Sequence, residues 1–201
     1  MTTTLTRSRR PIVIAVAVGC VAIVAALVFW RVNGEAAATV PYDDAKSAGL
    51  LTLCSADGKA VTEGKLDDSP FADIVLGETA LPSHLDPTGA VATLFAYQPR
   101  DGVATTEFSG NAITAAVEFA EPDEPAARVD EGAWTIGDFV TAFPADDDGY
   151  VQLRLVLGTP EAGTLSDQPY DTADLRVDGD AWELVRGGTA SCADAESALL
   201  P

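Results

Sequence analysis

The stretch YVQLRLVLG, residues 150–158, alternates with a period of two and decides the class of fold. Val151, Leu153, Leu155 and Leu157 fall on one side, and Tyr150, Gln152 and Arg154 on the other. Successive strand side chains point to opposite faces, whereas an amphipathic helix repeats about every 3.6 residues. AVATLFAYQP (90–99) repeats the pattern, with Val91, Thr93, Phe95 and Tyr97 set against Ala92, Leu94 and Ala96. AITAAVEFA (112–120) groups Ile113, Val117 and Phe119, while GLLTLC (49–54) and DIVLG (73–77) are shorter candidates. ADLRVDGDAWELV (173–185) reads as a hairpin about Asp178-Gly179. Six or seven strands broken by Gly, Pro and Asp turns predict a mainly β domain, an antiparallel β-sandwich of immunoglobulin-like or related type.

One segment departs from that period. In WTIGDFVTAFP (134–144), Thr135 precedes Asp138 by three residues, a capping box with Asp in place of Glu or Gln. Phe139, Val140 and Phe143 follow at helical spacing and Pro144 stops the run, so one short helix is expected over the end of the sandwich.

Ahead of the domain, RSRR (7–10) leads into PIVIAVAVGCVAIVAALVFW (11–30), a stretch without a charge. A bilayer core of about 30 Å takes about 20 apolar residues in helical form, which predicts a transmembrane helix. Arg7, Arg9 and Arg10 precede the span and Arg31 follows it, which places the N-terminus in the cytoplasm and the domain outside. A cleaved signal peptide, ending near EAAAT (35–39), is the alternative, but its apolar region would be shorter. Cys20 sits inside the apolar run and reads as a small buried residue rather than a lipid attachment point. The expected layout is a cytoplasmic tail over 1–10, the span over 11–30, a tether over 31–48, the β-sandwich over 49–192 and a C-terminal tail over 193–201.

All 31 acidic residues lie at Glu35 or later, against eight basic ones, a net of −23. That field repels phosphate backbones and excludes nucleic acid, while favouring cations or basic partners. The two cysteines beyond the span, Cys54 and Cys192, are expected to pair, since exported proteins form such bonds and no C-x-x-C spacing is present.

No catalytic motif emerges. His84, the only histidine, lies in LPSHLDPTG between two prolines with no nucleophile motif beside it. Glu107, Glu118, Asp138 and Glu183 are the carboxylates considered for paired-acid hydrolysis, and Trp134 and Trp182 the rings considered for sugar stacking; core packing is the simpler account of both rings. For calcium, the candidates are Asp146, Asp147 and Asp148 with Asp178 and Asp180, if the two turns share one end of the domain. They fail the contiguous calcium-loop spacing, and Asp favours tight turns in any case.

The stretches ATLFAYQPRDGV (92–103), WTIGDFVTAFP and DGYVQLRLVLGTP (148–160) resemble single-span, membrane-anchored exported proteins of high-GC Gram-positive bacteria. That group has no assigned function, so the resemblance implies a location and no catalytic residues. The function expected is a membrane-anchored extracytoplasmic recognition or scaffolding module of the cell envelope, non-enzymatic, whose partner is an envelope or membrane protein. A carbohydrate-binding module or carboxylate-dependent hydrolase is the first alternative, and a calcium-stabilised adhesive module the second.

Overall fold

A computed structural model describes residues 40–146 and 148–200. The expected span at 11–30, the cytoplasmic tail and residues 31–39 of the tether lie outside the described residues. In chain order the elements are β1 (Ser47–Leu50), β2 (Thr52–Cys54), β3 (Glu63–Lys65), β4 (Ile74–Leu76), β5 (Val91–Gln98), β6 (Ser109–Ala112), β7 (Val117–Glu118), β8 (Ala126–Arg128), α1 (Ile136–Ala142), β9 (Tyr150–Thr159), β10 (Gly163–Thr164), β11 (Tyr170–Asp178) and β12 (Ala181–Arg186). The large sheet runs β3-β12-β11-β9-β5-β6, with β1 on β11, β10 on β9 and β7 on β5; the small one runs β2-β4-β8.

Mainly β structure with antiparallel sheets and one helix agrees with the sequence, but the expected fold needs correction. Among the described residues no helix is long and apolar enough to cross a membrane. The sheets are also unequal, nine strands against three, and β1 joins β11 in parallel. The cause is local. GLLTLC reads as one strand, yet it divides at the buried Leu51. Up to Leu50 it pairs with β11 in the large sheet, and from Thr52 it pairs with β4 in the small one.

Alternation places the core between the sheets. Leu94, Val151, Leu153, Leu155 and Leu175 of the large sheet meet Leu53, Val75 and Ala127 of the small one, together with Ile136 and Phe139 of α1. The helix starts where its capping box puts it: Asp138 N–H donates to Thr135 Oγ1 at 2.9 Å and Thr135 N–H donates to Asp138 Oδ2 at 3.0 Å. The β11–β12 hairpin turns through Gly179-Asp180, one residue later than an Asp178-Gly179 turn, because Gly179 takes the left-handed position (φ 61°).

The far face of the small sheet is covered by the C-terminal segment. Cys54, Ile74 and Ala126 pack against Cys192, Ala195, Ala198 and Leu199. Cys54 and Cys192 form a disulfide, as their placement in the sequence led one to expect. Arg128 grips Glu196 with two parallel bonds of 3.0 and 2.6 Å. Residues 193–200 are therefore packed against the sheet.

The bridge closes 138 residues of chain, which removes disorder from the unfolded state worth about 4 to 5 kcal/mol in the chain-entropy model. Replacing both cysteines by alanine is expected to lower the unfolding free energy by about 2 to 5 kcal/mol. Urea denaturation should show this, and reduced parent protein should unfold with the same midpoint as the double variant.

Candidate functional site

Strand β9 is buried along its whole length, on both faces. The side carrying Tyr150, Gln152 and Arg154 turns away from the core, as the alternation predicts. It is nevertheless covered, by residues 40–46, the 3-10 turn Thr105–Glu107 and Phe108. Arg154 sits at the centre with its side chain 5% exposed. Its Nη2 donates to the Thr105 carbonyl at 2.8 Å and its Nε to Gln152 Oε1 at 2.7 Å. Asp44 Oδ2 lies 3.5 Å away, and the Tyr97 and Tyr170 rings flank the guanidinium at 4.0 and 4.8 Å. Asp44 in turn accepts from Tyr170 Oη at 3.0 Å, from Thr105 Oγ1 at 3.2 Å and from the Lys46 N–H at 3.1 Å.

A second buried pair lies alongside. Tyr42 donates its phenolic proton to Asp174, which also accepts from Arg186 Nε at 2.5 Å. Among the described residues Gln152 Nε2 and Arg186 Nη2 are buried there without a hydrogen-bond partner. Burial, with Asp174 beside it, pushes the Tyr42 phenol well above its ordinary value. Burial likewise raises Tyr170, helped by Asp44. Asp174 is raised because loss of solvent outweighs the donors around it. Residues 40–48, assigned to the tether on composition, thus carry interior contacts. The signal available in the sequence was Arg154 itself, since a cation in the middle of a strong strand calls for an acid from elsewhere.

Asp171 holds the sheets together in a different way. It is 2% exposed and accepts from the N–H groups of Glu78 and Thr79 at 2.7 and 2.8 Å and from the Thr79 hydroxyl. Room for its carboxylate comes from Gly49 and Gly77, where an added Cβ would lie 2.3 and 2.5 Å from its oxygens.

The residues singled out in the sequence do not converge on a reaction centre. His84 is exposed in a turn, and Glu107, Glu118, Asp138 and Glu183 are exposed on four different elements. Trp182 is core, whereas Trp134 is 37% exposed, against the expectation that both pack inside. The loop holding Asp146 and Asp148 does meet the hairpin end bearing Asp178 and Asp180, through a Val177 N–H to Gly149 carbonyl bond of 2.8 Å; Asp147 lies outside the described residues. Asp180 pairs with Lys65 at 3.1 Å. Among the described residues no group of three or more His, Cys, Asp or Glu side chains is arranged to hold a metal.

What the surface presents is a groove of about 490 Å3, lined by Glu63 and Lys65 of β3, Ala181 and Glu183 of β12 and Arg176 and Asp178 of β11, and, at the other end of the sheet, the edge of β6 beside Trp134. No family model, curated protein or solved structure matches the chain. Its surface chemistry carries the functional reading.

Two substitutions probe the buried network. Asp44→Ala strands a buried guanidinium and is expected to cost about 3 to 5 kcal/mol, read by urea unfolding. Asp174 is raised above 3.8 in the folded chain. Its stabilising share is therefore full below the ordinary value and lost as pH rises through the raised one. The parent's stability relative to Asp174→Asn should accordingly increase as pH falls through that window, measured as urea midpoints over a pH series.

Proposed function

We propose that the chain is an extracytoplasmic recognition or scaffolding module of the cell envelope, non-enzymatic, attached to the membrane through its N-terminal stretch and presenting its folded body to an envelope or membrane protein. The observation that carries this reading is the exposed Trp134 beside an open strand edge, on a body that keeps Arg154 with Asp44 and Arg186 with Asp174 inside. Exposed aromatic anchors on rigid supports are the usual material of recognition. The outside location is supported by the arginine-flanked apolar stretch at 11–30 and by the Cys54–Cys192 bond, which suits an oxidising compartment.

Trp134 also favours one second reading, a carbohydrate-binding module, because an exposed indole stacks on a sugar ring. The two separate on a single variant. Trp134→Ala should abolish retention on immobilised envelope polysaccharide under the sugar reading. Under the protein reading it should remove a specific cross-linked species instead. The deciding measurement is cross-linking of the full chain in native membranes followed by affinity recovery. One partner recovered with the parent and lost with Trp134→Ala is the expected result; recovery of no specific partner would overturn the proposal.

A further inference from the structure

We infer that the free edge of β6 is a docking strand for an extended, basic segment of a partner protein, an inference that rests on the recognition reading and supplies its surface and ligand chemistry. The first argument is the phase of the ladder. The Ile113 N–H donates to the Leu94 carbonyl at 2.9 Å, so in antiparallel pairing Ser109, Asn111 and Ile113 turn their backbone groups toward β5. Gly110 and Ala112 then turn theirs outward, and β6 is the last strand in the sheet order. The Ala112 carbonyl accepts from its neighbour Asn111 Nδ2 at 2.9 Å. The N–H and carbonyl of Gly110 and the N–H of Ala112 face no further strand among the described residues.

The opposite edge is closed at one position, Lys65, whereas the Glu63 backbone, outward in the same phase, faces no further strand among the described residues. Bonds from Leu184 N–H to the Thr62 carbonyl (2.7 Å) and from Leu66 N–H to the Asp180 carbonyl (3.0 Å) set the phase of β3, so the Lys65 backbone points outward. Both of its groups are taken: Lys65 N–H donates to Asp68 Oδ2 at 2.7 Å, and Asp68 N–H donates to the Lys65 carbonyl at 3.3 Å. Glu63 and Lys65 add charge to that edge. Proteins protect exposed edges with charge, proline, bulges or covering loops. β6 reads Ser-Gly-Asn-Ala, with no charge and no proline.

The second argument concerns what stands beside the edge. Gly110 is required because a Cβ there would lie 2.4 Å from Tyr97 Cδ1; the Tyr97 ring occupies that space and stacks on Phe95 with centroids 6.2 Å apart. The edge is therefore backed by fixed rings. At its far end Trp134 N–H donates to the Ile113 carbonyl at 2.9 Å, which places this half-exposed residue beside the C-terminal end of β6. Asp130 and Glu131 lie just before Trp134, and Glu107 precedes β6 with the exposed Arg100 donating to its carbonyl at 2.7 Å. An incoming strand thus meets backbone donors and an acceptor, and at the Trp134 end an aromatic residue with two carboxylates close by in sequence, on a chain of strongly negative net charge, which suits lysine or arginine alternating with apolar residues. A second copy of this chain fits poorly, since it brings 31 acids against 12 bases to the same place.

The test uses the full chain and synthetic peptides of about ten residues, the length of a long strand. One alternates Lys with Val and Thr; one carries Glu in place of Lys; one is the Lys peptide with two central prolines. The Lys peptide is expected to bind, to slow exchange of the Gly110 and Ala112 amides, and to weaken as salt rises, while the other two do not bind. Ala112→Pro, which removes an outward N–H, and Trp134→Ala should each weaken binding about tenfold or more, with urea midpoints near the parent's. Trp134→Ala keeps the test decisive if Ala112→Pro fails to fold. Peptide binding unchanged in both variants would overturn the edge assignment and leave recognition standing at another surface. Absence of peptide binding would overturn the inference alone, because the membrane cross-linking judges recognition independently. A dimer in sedimentation that Ala112→Pro dissolves would overturn the basic partner in favour of a second copy.

Discussion

A guanidinium buried in the middle of the longest strand sets the terms for much of this structure. An ion moved out of water costs several kcal/mol unless it is paired and its hydrogen-bonding capacity is used. Arg154 meets that demand with Asp44, Gln152, the Thr105 carbonyl and two tyrosine rings. Gln152 sits on the same strand, whereas Asp44, Thr105, Tyr97 and Tyr170 come from other parts of the chain. The pairing consequently holds the N-terminal segment and the 105–107 turn against one face of the sheet, and it turns a strand with one polar side into a strand buried on both. The neighbouring Tyr42–Asp174–Arg186 group extends the same arrangement toward β12.

Much of the architecture was legible because it is written locally. Alternation in 90–99 and 150–158 identified two strands and their core faces, the Thr135–Asp138 spacing identified the helix start, and the Asp-Gly pair marked the hairpin to within one residue. The Cys54–Cys192 bond followed from composition and placement. What stayed hidden depends on contacts between distant residues. Nothing in YDDAK around Asp44 distinguishes a buried acid from a solvated tether, since its partner lies 110 residues on. GLLTLC has the pattern of one strand, and only the competition between two sheets divides it at Leu51. Trp134 and Trp182 sit in similarly apolar stretches, yet one closes the core and the other faces solvent, because burial is decided by which neighbouring elements arrive. The candidate surface at β6 was illegible for the opposite reason. SGNA has no apolar alternation, and its interest lies in backbone groups left facing outward.

The two sheet edges show how one side chain can close an outward position of a strand. At β3 a single aspartate, Asp68, takes both outward groups of Lys65. At β6 the corresponding side-chain bond comes from Asn111 and covers one carbonyl only. The acidic residues elsewhere serve solubility and local turns, or pair across strands as Asp180 does with Lys65.

The disulfide joins positions near the two ends of the folded body, with β3 to β12 lying between them in sequence. A single peptide-bond cut anywhere in that interval leaves one covalent molecule, since both fragments remain joined through sulfur. A protease nicking the exposed turn around Asp101 therefore releases neither fragment while the bond is intact. Separating the body from the first residues of the chain in one step takes a cut on the N-terminal side of Cys54, and that stretch includes Tyr42 and Asp44, whose contacts fasten the chain to the sheet.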